Sequence, residues 1–381
     1  MSQTRTPAVY MRGGTSKGVF FLSQDLPTDP RQRDDLLLRV IGSPDRYGKH
    51  IDGMGGATSS TSKVVIVAPS SRPDCDVDYL FGAVSVVQPV IDWSGNCGNL
   101  SAAVGPFAIH TGLIAAPANG MATVRIWQAN VGRRILAHVP MRNGDVQETG
   151  DFDLDGVSFP GAEIRLEFLD PAAAEQLFPA GNPMDTLSVP GIGSIAATLI
   201  DAGNPTIFID AGVLGLTGTE LPSLVNQDAD LLARAEVIRA TGAVAMGLAG
   251  SIEEASALRP HTPKLAFVSP PADYVASDGR PVARDAIHLV ARIFSMGQLH
   301  HAMTGTGAVA LAAAAAIPGT VVHELSTPVK NGPLCFGHPS GVLQVGAETR
   351  TAGNRWIIDR VIMSRSARIL MEGWVRTPTA S

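Results

Sequence analysis

The sequence predicts a mixed α/β (α+β) protein made of two pseudo-symmetric domains, each a β-barrel-like sheet wrapped around a central helix. Short β-rich runs between Gly, Pro and Asp residues dominate the chain, which is typical of strands joined by turns. Two runs of small apolar residues, Leu100–Ile109 and Ala308–Ile317, lack a charged face. A helix that is apolar nearly all round must be surrounded by protein. Because one such run lies in each half, we expect the strands of each half to wrap around it.

The first half is expected to form an N-terminal domain over residues 1–188, with its central helix at about residues 99–110. A helix is also expected at Arg31–Gly42, where apolar residues recur at helical spacing. The glycine-rich segment Arg12–Gly18 is expected to be a loop between two strands. The β-rich runs of this half are Ala8–Met11, Val19–Leu22, Lys63–Ala68, Val77–Val90, Val124–Gln128 and Arg134–Pro140.

The second half is expected to form a C-terminal domain over residues 189–381, with its central helix at about residues 305–317. It begins after the Pro- and Gly-rich stretch Phe178–Gly193. Helices are predicted at Asp228–Thr241 and Asp285–Phe294. Strands are predicted at Ile195–Asp201, Thr206–Asp210, Leu265–Ser269, Val342–Thr349 and within Trp356–Trp374. We leave open that the final strand crosses back to the first domain.

Composition and charge exclude several classes of function. The chain has 381 residues, 45% of them hydrophobic and 17% charged, so it can bury large cores. A net charge of −6 without a basic stripe argues against a nucleic-acid partner. The longest apolar run is too short to cross a membrane, and no secretory leader is recognised at the start. Three widely spaced cysteines, Cys75, Cys97 and Cys335, form neither a disulfide framework nor a metal-site spacing and suit the cytoplasm.

Cys97 stands at the expected mouth of the first central helix, in the run Ser94-Gly95-Asn96-Cys97-Gly98-Asn99. The first turn of a helix carries unpaired N–H groups and the positive end of the dipole, which favour a thiolate or a bound carboxylate. The second central helix begins similarly, with Met303-Thr304-Gly305-Thr306-Gly307. If the two halves pack face to face, both helix ends converge on one cleft that favours anions. The alternative is a buried cysteine and two core helices with ordinary caps.

Several long motifs, in order along nearly the whole chain, resemble one family. They are Met11–Gly18, Gly55–Lys63, Gly95–Asn99, Asp201–Thr206, His261–Lys264, Ser295–His301, Phe336–Gly341 and Met363–Arg368. In these motifs the chain resembles the 2-methylaconitate cis–trans isomerases, or PrpF proteins, of the diaminopimelate-epimerase-like superfamily. The resemblance implies two pseudo-symmetric domains with the active site between them. It also implies an isomerase without metal or cofactor, in the 2-methylcitrate route of propionate catabolism, that acts beside an iron–sulfur methylcitrate dehydratase.

Isomerisation of a 2-methylaconitate requires a base and donors for negative charge. Removal of a methylene proton gives a delocalised dienolate, in which the former double bond can rotate before reprotonation. Lys63 is the better candidate for the base, because it begins an apolar strand where burial disfavours its charged form. The alternative is a solvent-facing lysine at a strand end. The resemblance implies that Lys63 shuttles the proton, and that Cys97 matches one of two opposed cysteine bases in related epimerases. Thr304-Gly305-Thr306 stands where the second cysteine would be, so Cys97 is expected to position or polarise the substrate or to assist proton transfer.

The remaining candidate residues are expected to bind the carboxylates of a small tricarboxylate substrate. They are Thr15, Ser16, Lys17, Asn96, Gly98, Asn99, Asn204, Lys264, Met303, Thr304, Gly305 and Thr306. His300-His301 lacks a third ligand at a suitable local spacing, so we assign it a structural role and predict no metal site. Arg365 and Arg368 are expected to form surface or interdomain ion pairs.

Two other functions stay open from sequence. One is a related isomerase, a 4-oxalomesaconate tautomerase or a methylitaconate-type double-bond isomerase, because the shared motifs carry the chemistry and do not select the substrate. The other is a non-catalytic, tricarboxylate-binding accessory of an iron–sulfur dehydratase, which the intact Lys63 and Cys97 disfavour. Homo-oligomerisation is also left open.

Overall fold

The computed structural model describes residues 3–172, 177–329, 332–353 and 355–378. The α-helices are α1 (Pro30–Ile41), α2 (Ser101–His110), α3 (Pro222–Val225), α4 (Ala229–Ala245), α5 (Ile252–Leu258), α6 (Gly305–Ala315) and α7 (Val321–Leu325). Short 3₁₀ turns occur at Ser23–Asp25, Ala211–Leu214 and Arg284–Ala286. No helix among the described residues is long and apolar enough to cross a membrane.

The strands occur in both halves of the chain. They are β1 (Gln3–Gly13), β2 (Ser16–Leu22), β3 (Lys63–Pro69), β4 (Val77–Val84), β5 (Ile91–Asp92), β6 (Gly120–Gln128), β7 (Arg133–Arg142), β8 (Asp145–Val146), β9 (Ile164–Leu169), β10 (Asp185–Val189), β11 (Gly193–Ala202), β12 (Asn204–Asp210), β13 (Lys264–Ser269), β14 (Tyr274–Val275), β15 (Pro281–Val282), β16 (Leu289–Ser295), β17 (Gln298–Leu299), β18 (Leu334–His338), β19 (Gly341–Ala352), β20 (Arg355–Arg365) and β21 (Ala367–Pro378).

The chain divides into two compact units at different positions from the 188/189 boundary placed by sequence. The first unit contains residues up to 166 together with those from 364 onward, and the second contains residues 167–363. β10 pairs antiparallel with β11 and forms a hairpin of the second unit. The Pro- and Gly-rich stretch Phe178–Gly193 leads into this hairpin and therefore lies in the second unit. The C-terminal segment returns to the first unit because β21 pairs antiparallel with β1 from Gln3↔Pro378 to Gly13↔Ala367.

The two units repeat one order of strand pairing. In the first unit, β1/β2 is antiparallel, β2/β3 parallel, β3/β4 antiparallel, β4/β6 parallel and β6/β7 antiparallel. In the second unit, β11/β12, β12/β13, β13/β16, β16/β18 and β18/β19 follow the same alternation. In the order of elements along the chain, α2 lies between β5 and β6, and α6 lies between β17 and β18. The pseudo-symmetry is therefore visible in the topology itself.

Each central helix is held by the strands of its own unit. α2 contacts β1, β6, β7, β8 and β21, whereas α6 contacts β11, β12, β19 and the short helix α7. Phe107 of α2 stacks obliquely on Phe20, with ring centroids 5.5 Å apart. In α6, a side chain at Gly307 would collide with Ile293 of β16. Small residues thus let these helices approach the sheet closely, as the apolar patterning predicts.

The predicted helix at Asp285–Phe294 is wrong. Only Arg284–Ala286 forms a 3₁₀ turn, and Leu289–Ser295 is the strand β16, every residue of which is buried. β16 lies between β13 and β18, so both of its edges are paired. A short apolar run buried on both faces has no two-residue alternation, and periodicity alone cannot distinguish it from a buried helix.

The segment Arg12–Gly18 is a tight hairpin rather than a loop. β1 and β2 pair as far as Gly13↔Ser16, which leaves Gly14 and Thr15 as the turn. Gly14 has a φ of 51°, in the left-handed region that favours glycine. The predicted strand Val77–Val90 is also shorter than expected, because it ends at Val84.

Truncation of the aromatic pair should test the packing of α2. Phe107 is 1% exposed and Phe159, in the same unit, is 67% exposed. We expect Phe107→Ala to lower the free energy of unfolding by about 3–5 kcal/mol, because it removes buried contacts and leaves a cavity. Phe159→Ala should change it by less than about 0.5 kcal/mol. Urea denaturation followed by circular dichroism measures both, and equal losses would contradict the assigned burial.

Candidate active site

Lys63 and Cys97 form a buried pair in the first unit. Lys63 is the first residue of β3, and Cys97 lies in the segment before α2; their side chains are 5% and 7% exposed. The two side chains are hydrogen-bonded, and the Lys63 Nζ lies 4.9 Å from the centroid of the Phe81 ring. Burial lowers the pKa of Lys63 below its ordinary value of 10.5, although the Cys97 charge and hydrogen bond act in the opposite direction. The lysine is therefore a stronger candidate for a base than an exposed lysine.

The segment before β3 holds the position of Lys63. Ser62 directly precedes the lysine, and its hydroxyl lies 3.2 Å from the Nδ1 of the buried His50. The same Nδ1 accepts a hydrogen bond from the backbone of Ala57 at 3.2 Å. A side chain at Gly55 would collide with this ring. The segment Gly55–Lys63 thus packs around the His50 ring and ends at Lys63, the candidate base.

The backbone at Cys97 is fixed by three hydrogen bonds to its carbonyl oxygen. The N–H and hydroxyl of Ser101 donate at 3.0 and 3.1 Å, and the Tyr79 hydroxyl donates at 3.3 Å. Burial, and then the charge of Cys97, raise the pKa of Tyr79 well above its ordinary value of 10. Tyr79 therefore stays protonated and remains a donor. These bonds hold Cys97 at the entrance to α2, the place that the sequence predicts.

Arg365 is a residue whose environment the sequence analysis missed. The predicted surface or interdomain ion pair is wrong, because Arg365 is 1% exposed and its Nε donates to Asn99 Oδ1 at 3.0 Å. Burial lowers the pKa of Arg365 to about 10, against the opposing effect of Cys97, so the guanidinium is charged at neutral pH. Alternation along β20 carries the missed signal, because Arg365 is in phase with the buried Val361 and Met363. Arg368 is exposed.

The structure places only some of the hairpin residues predicted to bind substrate close to Lys63, Cys97 and Arg365. Thr15 Oγ1 accepts from Asn99 Nδ2 at 3.0 Å, which joins the hairpin turn to the start of α2. Ser16 is buried at the first position of β2. The Lys17 Nζ instead lies 5.3 Å from the centroid of the Tyr10 ring. Because neighbouring residues of a strand point to opposite faces, Lys17 points away from the face that Gly18 presents to Lys63 and Leu100.

The other predicted residues of the α2 entrance are buried beside Cys97. Asn96 is 2% exposed, and the Ser101 hydroxyl lies 3.5 Å from its Oδ1. Gly98 is buried in the turn that leads into the helix. With Asn99, these residues surround Cys97 with amide and backbone groups that can donate to an anion.

The second unit has its own buried polar cluster. Lys264, the first residue of β13, is 2% exposed, and its Nζ lies 3.0 Å from both His261 Nδ1 and Ser295 Oγ. Asn204 Nδ2 donates to Thr306 Oγ1 at 3.0 Å. Each unit therefore joins its hairpin turn to its central helix by an Asn–Thr hydrogen bond, with the two residue types exchanged. Lys264 begins the strand that corresponds to β3.

The start of α6 is capped by a threonine. The Thr304 hydroxyl accepts from the backbone of Gly307 at 3.1 Å, and Met303 and Gly305 are buried. His300 and His301 stack with ring centroids 4.6 Å apart. Within the described part of the chain, no group of three or more His, Cys, Asp or Glu side chains is arranged to hold a metal ion.

Removal of the buried ammonium should change how stability depends on pH. The folded state disfavours the charged form of Lys63, and this penalty disappears as the pH rises from the lowered pKa to 10.5, where the unfolded state also loses its proton. We therefore expect Lys63→Met to be more stable than the wild type at neutral pH, by a margin that shrinks as the pH approaches 10.5. Lys49→Met, at an exposed lysine, is the matched control. Urea denaturation across this range measures the margin, and a margin independent of pH would count against burial as the cause.

Several proteins of known function or structure are similar to this chain over nearly its full length. The 2-methyl-aconitate isomerase of Cupriavidus necator is 58% identical over 388 aligned residues, which cover 99% of this chain and 98% of that protein. The 3-methylitaconate isomerase of Eubacterium barkeri is 41% identical, covering 98% of this chain and 97% of that protein. The crystal structure of a methylitaconate-delta-isomerase superposes with a TM-score of 0.76 at 40% identity, over 99% of this chain and 97% of that one.

The predicted diaminopimelate-epimerase-like fold is confirmed by this structural likeness. The resemblance drawn from sequence motifs is confirmed as well, because the family model described as PrpF protein matches residues 3–378. This chain therefore belongs to the PrpF protein family.

Proposed function

We propose that this protein is an isomerase that interconverts trans- and cis-2-methylaconitate. The observation that carries the proposal is a buried, hydrogen-bonded Lys63–Cys97 pair in a chain 58% identical, over nearly its full length, to a 2-methyl-aconitate isomerase. We infer the substrate class from the name of that relative, and the chemistry from the Lys63–Cys97 pair. We also propose a cytoplasmic location and functional pairing with an iron–sulfur dehydratase, on the cysteine content and the sequence resemblance respectively.

The reaction needs one proton to leave the substrate and one to return. In our proposal the neutral Lys63 amine removes a proton from the methylene that lies between the alkene and a carboxylate. The electron pair delocalises into a dienolate, the former double bond gains single-bond character, and rotation becomes possible. The resulting ammonium returns a proton to the same carbon. A base with a lowered pKa is suited to both steps near neutral pH.

The negative charge of the dienolate requires donors that are already in place. We propose that the entrance of α2 supplies them through Asn96, Gly98 and Asn99, with Thr15 and Ser16 of the hairpin beside them. In the second unit, we propose that Asn204, Lys264 and the segment Met303–Thr306 bind substrate carboxylates. Lys17 receives less support as a ligand, because its ammonium lies against Tyr10.

A double-bond shift without rotation is the second candidate reaction. The relatives at 41% and 40% identity are named for methylitaconate isomerisation, which the same dienolate permits if the proton returns to a different carbon. Supplying trans-2-methylaconitate, a methylitaconate and 4-oxalomesaconate separately, with the products identified by NMR, distinguishes these substrates. An accessory protein without activity would convert none of them.

Replacement of Lys63 should separate the base from its partner. We expect Lys63→Ala to lower kcat by about 100- to 10,000-fold, because general-base catalysis contributes on that order. Cys97→Ser should lower it less, since a hydroxyl can still donate and accept a hydrogen bond. Lys49→Ala is the exposed control and should retain wild-type turnover.

Exchange of the substrate methylene proton with deuterated water provides the independent measurement. It should stop in Lys63→Ala and persist in Cys97→Ser. Persistent exchange in Lys63→Ala together with its loss in Cys97→Ser would reverse the two roles.

Anion binding can be tested without turnover. Citrate and trans-aconitate should bind the wild type, because helix N-termini favour anions by about 0.3–1 kcal/mol at exposed ends and more when partly buried. Isothermal calorimetry at two salt concentrations measures this, and binding should weaken as salt screens the charges. Absence of heat with both ligands at low salt would remove the anion-binding part of the proposal.

A further inference from the structure

Arg239 of α4 is a buried arginine of the second unit that the proposed function does not use. It is 4% exposed, and its guanidinium donates five hydrogen bonds. The Nε and one Nη2 hydrogen reach the two carboxylate oxygens of Glu236 at 2.7 and 2.6 Å. Because an arginine has five N–H donors, this side chain has none left for a ligand, and its charge is paired within α4.

The other three bonds go to backbone carbonyls at the end of α5 and in the turn that follows it. The Nη2 donates to Ala255 at 3.1 Å, and the Nη1 donates to Arg259 at 3.0 Å and to Thr262 at 3.4 Å. Arg259 itself donates from its Nη2 to Thr262 Oγ1 at 3.1 Å. Two arginines therefore hold the turn Arg259–Pro263, which ends directly before Lys264.

The turn acts on Lys264 both through the backbone and through a side chain. Lys264 is the first residue of β13 and directly follows the turn. His261, inside the turn, places its Nδ1 3.0 Å from the Lys264 Nζ. Arg239, Pro263 and Lys264 also line one cavity of about 10 Å³, which is room for about one water molecule. A shift of the turn would therefore move the start of β13 and a hydrogen-bond partner of the ammonium together.

The first unit supports its own strand in a similar way. Lys63 begins β3 after a segment that packs around the buried His50, whose Nδ1 accepts from the backbone of Ala57. In each unit, one buried side chain thus bonds to the backbone of the segment that leads to the lysine. The side chain is an imidazole in the first unit and a guanidinium in the second.

We propose that Arg239 is a positioning residue: through the turn Arg259–Pro263 it sets where the Lys264 ammonium meets a substrate carboxylate. The inference rests on the proposed role of Lys264 in binding substrate. Since the Arg239 charge is paired with Glu236, the directions of its five bonds support binding, not its charge. Arg239→Lys keeps the charge but has only three donors, so it cannot replace these bonds.

The test is a double-mutant cycle on the binding of trans-aconitate, measured by isothermal calorimetry. We expect Arg239→Gln and Arg239→Lys each to raise the dissociation constant about tenfold, because a misplacement of about 1 Å can cost as much as about 100-fold. In a Lys264→Met background the ammonium is gone, so Arg239→Gln should change the dissociation constant by less than about twofold. This loss of the effect is the coupling expected of residues that act through one another.

Two controls on α4 separate positioning from a general loss of stability. Arg234→Gln removes an exposed arginine, and Leu231→Ala opens a cavity at a residue that is 3% exposed. Both variants should bind trans-aconitate like the wild type. Without ligand, hydrogen exchange of the backbone amides of the turn Arg259–Pro263 should become faster, relative to the rest of the second unit, in Arg239→Gln and not in Leu231→Ala.

The inference is overturned if Arg239→Gln or Arg239→Lys binds like the wild type, or if Arg239→Gln weakens binding equally with and without the Lys264 ammonium. It is also overturned if both Arg239 variants fail to fold while Leu231→Ala folds, because the role is then structural. If the wild type does not bind trans-aconitate, or Lys264→Met binds it unchanged, the proposed ligand role of Lys264 fails and the inference fails with it.

Discussion

The burial of the Lys63 amine beside the Cys97 thiol is the constraint on which the first unit depends. An ammonium at 5% exposure is costly unless it is paired or loses its proton. The surrounding structure keeps it in place: the Gly55–Lys63 segment packs on His50, and Tyr79 and Ser101 hold the Cys97 carbonyl. A large part of the local sequence thus serves to hold two side chains together.

The internal repeat explains why the second unit resembles the first without duplicating its chemistry. In both units a buried lysine begins the corresponding strand of the repeat, β3 or β13, and an Asn–Thr hydrogen bond joins a hairpin to the central helix. The lysine of the second unit contacts His261 and Ser295, and Thr304 caps α6 where Cys97 precedes α2. The shared topology fixes the positions of these groups, while the side chains at those positions decide what each unit can do.

The two central helices, and the placement of Cys97 before the first of them, are predictable from sequence because both have strong local signals, whereas the contact between Lys63 and Cys97 is not. An apolar run without a charged face indicates a surrounded helix, and a cysteine between glycines at its start indicates the helix entrance. Sequence-based prediction failed at β16, where burial on both faces removes the alternation that identifies a strand. It also failed at Arg365, because the hydrogen bond between Arg365 and Asn99 joins residues 266 positions apart, and no local pattern predicts such a contact. Alternation along β20 places Arg365 in phase with the buried Val361 and Met363, although arginines are mostly exposed in proteins.

The Lys63–Cys97 pair of the first unit suits isomerisation better than racemisation. A racemase must remove a proton from one face of a carbon and return it to the other, which requires bases on opposite sides. In cis–trans isomerisation of a dienolate the geometry changes by rotation about a bond, so the proton can return to the face that it left. A lysine and a thiol in hydrogen-bond contact can serve both steps from one side. At the start of α6 the Thr304 hydroxyl accepts a hydrogen bond from the backbone of Gly307, so this position caps the helix and holds no thiol that could act as a second base.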